Sequence, residues 1–174
     1  MLPAIIAGLN DPAVIVYVGW GYVVSYYLAS WGFHYHSSDA NHTGIWKKNG
    51  FADVVTSTIW SIVAIILILS LIDLLIRNEL SLGFLLHYYV LFLLLFAHVY
   101  NIVEWHAPGS IGDMQAGWPG ELQCVIMSIE IMTSAPYTSA RPVTLVPESI
   151  AALQALLGLA FVAIFIAKAV ALMV

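Results

Sequence analysis

Four stretches of this chain, residues 13–32, 54–76, 80–103 and 149–174, each run for twenty or more residues, and Asp73 and Lys168 are the only charged side chains in them. At ~1.5 Å of rise per residue, each stretch is long enough as a helix to cross a ~30 Å hydrocarbon layer. Only 9% of the residues are charged, against roughly 25% in a soluble domain. That deficit leaves too few charges to solvate a water-facing surface, so lipid is the expected solvent. The apolar runs are continuous and do not alternate with polar residues, which excludes a transmembrane β-barrel and predicts helices. The expected fold is therefore an all-α, multi-pass integral membrane protein with four transmembrane helices.

The punctuation fits that reading. Asn10-Asp11-Pro12 supplies a cap and a helix start before the first run. No basic residue precedes that run and no small-residue cleavage site follows it, so it reads as a first span and not as a signal peptide. Gly19 and Gly21 offer close helix contact. Only Arg77-Asn78-Glu79 separates the second and third runs. These two form a tight hairpin, with Asp73 and Arg77 spaced to pair on one helical face. The net charge is −5 with no basic cluster, so nucleic acid is not an expected partner. Cys124 is the single cysteine, which excludes an intrachain disulfide.

A shorter apolar segment, residues 121–133, precedes the last run. As a helix it reaches only ~20 Å, so it is either a buried core helix or one that enters the bilayer and turns back. A turn rich in Thr, Ser, Pro and Tyr follows it. Counting crossings puts the polar segments 33–50, 104–120 and 133–147 on one side, together with Trp31, Trp46, Trp105 and Trp118 as an aromatic belt. With 5 basic residues in the chain, orientation is left open. A half-helix, a polar turn and a full span in succession form the layout of a re-entrant pore loop.

The residues of that loop carry a resemblance. Ser128-Ile129-Glu130-Ile131-Met132-Thr133-Ser134-Ala135-Pro136-Tyr137-Thr138 resembles the pore helix and filter of potassium channels, which read approximately S-x-E-x-x-T-T-V-G-Y-G. Pro142-Val143-Thr144 resembles the P-x-T that follows such filters, and residues 151–158 resemble the start of the inner helix of two-transmembrane members. The resemblance covers about residues 80–174 and leaves residues 1–79 as two N-terminal spans with a histidine-containing polar loop. It implies an outer helix, a re-entrant pore helix, a filter loop at Thr133, Ser134, Ala135, Pro136, Tyr137 and Thr138, an inner helix, and a homotetramer around an axis. It also implies an ion pair between Glu130 and Arg141, as in inward-rectifier channels. Gly158 takes the place of an inner-helix hinge or of a close-packing glycine.

The filter departs from the pattern where it matters chemically. Two glycines let a potassium filter turn successive carbonyls inward. Pro136 and Thr138 stand at those positions. Proline fixes φ near −65° and a β-branched residue resists positive φ. The expectation is a cation channel without potassium selectivity, or a channel-derived protein. The alternative is a non-conducting accessory subunit among other membrane subunits.

Six histidines raise a third reading, a metal-containing redox or oxygenase subunit. His34, His36 and His42 share one polar segment, and Glu104 and His106 share another. Imidazole and carboxylate suit zinc, copper or iron. Two histidines two apart stand ~200° apart on a helix, so His34 and His36 converge only on extended backbone. His87 and His98 lie 11 residues apart in the third run. They share a face, where they would bind a cofactor or hydrogen-bond to another helix. No metal motif or catalytic triad is present, and no cofactor or catalytic residue is expected.

Overall fold

The computed structural model describes residues 12–36, 59, 62–63, 66, 69–70, 72–74, 76, 81–115, 118–135 and 140–173. It divides into two compact units, Met1–Ile76 and Arg77–Val174. Within the described residues the chain is predominantly helical.

In the first unit, helix α1 (Pro12–His36) starts on a proline. The missing N–H of that residue costs nothing in a first turn, where the N–H has no partner in any case. The helix runs past residue 32, where the sequence placed its end, so the backbone of His34 and His36 is helical. The described residues of the expected span 54–76 are all helical, and the others lie outside the described residues.

The second unit packs three helices against one another. Helix α2 (Leu82–His106) is capped by Ser81, whose Oγ accepts from the Phe84 N–H at 3.2 Å. This hydroxyl sets the helix start inside the expected 80–103 span. Strand β1 (Ile111–Gly112) follows, then α3 (Trp118–Thr133), strand β2 (Arg141–Pro142) and α4 (Leu145–Ala171). Helix α4 begins before Pro147, although a start at 147–149 was expected. Its first backbone bond is Glu148 N–H to the Thr144 carbonyl at 3.1 Å. Pro147 therefore occupies a position that needs no N–H.

The two short strands pair antiparallel, Ile111 with Pro142 and Gly112 with Arg141. The Val143 N–H extends the ladder to the Ser110 carbonyl at 3.0 Å. The segment leading into α3 is thus bonded to the segment leaving it. Helix α3 has 16 residues, about 24 Å at 1.5 Å per residue. The segments Leu82–Glu104 and Leu145–Ala171, of 23 and 27 residues, are long and apolar enough to cross a membrane.

Buried positions on α4 are Pro147, Gln154, Gly158 and Phe161. Their spacing makes one narrow stripe along a helix. Phe161 packs edge-on against Tyr89 of α2, with ring centroids 5.7 Å apart, and against Phe92 at 5.8 Å. Around the rest of α4, Leu153, Leu156, Leu159, Val162 and Ile166 are exposed.

Candidate functional site

At the centre of the second unit, three helices meet on a connected set of buried polar groups. Gln154, in an otherwise apolar stretch of α4, has no exposed surface, nor have Tyr100 of α2 and Ser128 of α3. The Tyr100 hydroxyl donates to Gln154 Oε1 at 2.8 Å. Gln154 Nε2 donates to the Ser128 carbonyl oxygen at 2.9 Å and to Ser128 Oγ at 2.6 Å. Ser128 Oγ in turn donates to the Leu93 carbonyl of α2 at 2.6 Å. A carbonyl oxygen only accepts, so the amide nitrogen must face Ser128 and the amide oxygen must face the tyrosine. Every polar atom of the Gln154 side chain is engaged, which is the condition for burying an amide without a penalty of about 1–3 kcal/mol.

One turn further along both helices the backbones touch. A Cβ on Gly158 would lie 2.5 Å from the Met132 carbonyl oxygen, closer than a side chain tolerates. Ser128 thus meets Gln154, and Met132 meets Gly158. Residue numbers rise together along the contact, so α3 and α4 run in the same direction there. Leu93 is the twelfth residue of 25 in α2, and Gly158 the fourteenth of 27 in α4. The last two turns of α3 therefore lie against the middles of both long helices. Gly158 is a close-packing glycine in this arrangement, one of the two roles its position allowed.

Helix α3 ends at Thr133 in a Schellman arrangement: Ser134 takes φ 57° and the Ala135 N–H bonds to the Glu130 carbonyl at 3.0 Å. Thr133 Oγ1 turns back to the Ile129 carbonyl at 2.7 Å. Of the filter-like residues, Thr133, Ser134 and Ala135 are described, while Pro136, Tyr137 and Thr138 lie outside the described residues. Glu130 is buried near the end of α3, and Arg141 is exposed on β2. Among the described residues no ion pair joins these two.

The opposite end of α3 is braced by side chains. Glu104, at the end of α2, accepts the Gly109 N–H on Oε1 and the Ile111 N–H on Oε2, each at 2.7 Å. Gln123 Oε1 accepts from the Gln115 N–H at 2.7 Å, and its Nε2 donates to the Asp113 carbonyl at 3.2 Å. These contacts shape the 107–115 connection so that β1 meets β2. Glu104, a candidate ligand in the sequence, spends both oxygens on backbone donors. Cys124 is buried with its Sγ 3.9 Å from Met114 Sδ.

The backbone of His34 and His36 is helical. His42 lies outside the described residues, and His106 is exposed. His87 is exposed, with Nδ1 2.7 Å from the Gly83 carbonyl of its own helix, whereas His98 is buried. Their shared face is thus covered only at the deeper position. Among the described residues no group of three or more His, Cys, Asp or Glu side chains could hold a metal ion.

Sequence reasoning passed over Tyr100 and the role of Gln154. The signal was present: an amide and a phenol inside apolar runs mark positions where a span needs a polar partner. No protein family, curated protein or solved structure matches this chain.

Proposed function

We propose that this chain is a channel-like, multi-pass integral membrane protein and that α3 is its re-entrant pore helix. In this reading four copies surround an axis, α2 is the outer helix and α4 the inner one. The observation that carries it is the path of the chain around α3. The strands flanking α3 are bonded to each other, while its far end abuts the midpoint of α4 at Gly158. A helix that goes in by half a span and comes back on its own side suits few roles other than a pore loop. Irregular backbone at that depth is tolerated only when buried in protein or lining water.

The electrostatics favour cations. The C-terminal end of α3 presents its carbonyls at mid-depth, where a helix end carries roughly half a negative charge. Between residues 104 and 148 the chain holds Glu104, Asp113, Glu121, Glu130 and Glu148 against the single Arg141. Of these, Asp113 and Glu148 are exposed, and exposed carboxylates near an opening concentrate cations. Pro136 and Thr138 replace the glycines of a potassium filter, so the pathway does not discriminate potassium from sodium. Proteoliposomes holding the purified, folded protein should pass both ions at comparable rates; no flux of either would refute the reading.

Those same two residues favour a second reading, in which the pore loop is a structural element of a non-conducting subunit packed among other membrane subunits. The copy number in the native particle separates the two: four copies about an axis for the pore, one copy among unrelated chains for the accessory subunit.

A further inference from the structure

We infer that Gln154 is the positioning residue of the candidate pore: through Ser128 and Tyr100 it sets the depth and rotation of the C-terminal end of α3. The functional consequence rests on the pore reading above; the positioning itself does not.

Two kinds of contact hold α3 against α4. The Met132–Gly158 approach is steric; it forbids closer contact but does not prevent sliding or rotation. The Gln154–Ser128 bonds are directional, at 2.9 and 2.6 Å, and form in one register only. A slip of one turn would bring Gln154 opposite Met132, whose own carbonyl cannot replace both the Ser128 oxygens. Apolar contacts between helices in lipid carry no such register, because lipid tails are as apolar as the partner helix. Ser128 lies five residues before Thr133, about one and a half turns, so an error of angle there passes directly to Thr133, Ser134 and Ala135. Tyr100 adds the third helix: its hydroxyl, at 2.8 Å, holds the amide in the one orientation that points nitrogen at Ser128.

The test uses full-length protein in lipid nanodiscs and in liposomes, with Gln154→Leu, Tyr100→Phe and Ser128→Ala. Leucine keeps the volume and helix propensity of the position and removes every side-chain hydrogen bond of Gln154, the 3.9 Å contact of its Nε2 with Met132 Sδ included. Amide exchange at residues 129–135 should accelerate roughly tenfold or more, the scale for losing one to two kcal/mol of local protection, while residues 85–97 of α2 keep wild-type protection. Tyr100→Phe and Ser128→Ala should give smaller accelerations confined to the same residues. In liposomes, Gln154→Leu should change the permeability of sodium relative to a larger organic cation, a ratio that the amount of folded protein does not affect. Unchanged exchange at 129–135 in folded Gln154→Leu overturns the inference, whatever the flux. If that variant does not fold, Ser128→Ala decides by the same criterion. If residues 129–135 loosen but wild-type liposomes carry no flux, the positioning role stands and the channel reading falls.

Discussion

Replacing Gly158 by alanine tests the arrangement most directly, because the added methyl has nowhere to go. Its Cβ would sit 2.5 Å from the Met132 carbonyl oxygen and 3.2 Å from the carbonyl carbon, where ordinary contact starts at 3.4 Å. Both atoms are backbone within a packed helix, so relief requires the two helices to part by about 0.9 Å, the shortfall between 2.5 and 3.4 Å. Overpacking of this kind costs about 1–3 kcal/mol. The same displacement, applied one turn away, would stretch the 2.9 Å Gln154–Ser128 bond past its limit, at about 1 kcal/mol more. Against this, alanine is favoured over glycine inside a helix by about 0.5–1 kcal/mol. The net expectation is a loss of about 1–3 kcal/mol, read by unfolding titration in mixed micelles. Gly83→Ala is the control, since its Cβ would find nothing nearer than Ser81 Oγ at 3.8 Å; it should be neutral or stabilising. A Gly158→Ala protein as stable as wild type would refute the close approach of α3 and α4 and return Gly158 to the hinge role.

Other substitutions probe the ends of α3. Ser134→Gly should stabilise by about 0.5–1 kcal/mol, because Ser134 holds φ 57° at the helix end where glycine is unstrained; thermal unfolding would measure it, and a loss would argue against the Schellman end. Glu104→Gln leaves one oxygen to serve two backbone donors and should cost about 1–3 kcal/mol, with faster amide exchange at Gly109 or Ile111 as its local signature. Cys124 is buried, and a thiol reacts only where a reagent can reach it. Cys124 should resist maleimide in folded protein and react once the chain is unfolded in detergent; rapid labelling of folded protein would contradict its burial.

What was legible in the residues follows the physics of each signal. The short helix and the long helices around 82–104 and 145–171 appeared as apolar runs broken by Pro, Gly and polar residues, which are local properties. Helix starts depend on caps: Ser81 acts through its hydroxyl and its carbonyl and Thr144 through its carbonyl, and Pro147 reads as a boundary although a first turn accommodates it. Ionisable groups are costly in apolar runs, yet His87 bonds to a carbonyl of its own helix and Glu104 serves the backbone. Neither outcome shows in spacing.

Apolar length and the scarcity of charge were enough, from the sequence by itself, to determine that this chain builds long apolar helices and one shorter helix between them. Only the tertiary structure decided how that short helix is seated: Gln154 against Ser128, Gly158 against Met132, Tyr100 closing the third side. Hydropathy is a sum along the chain and records how much a segment prefers an apolar medium. Register between helices depends on a few directional bonds and one missing side chain, drawn from residues 26 to 54 positions apart, and no sum along the chain contains it.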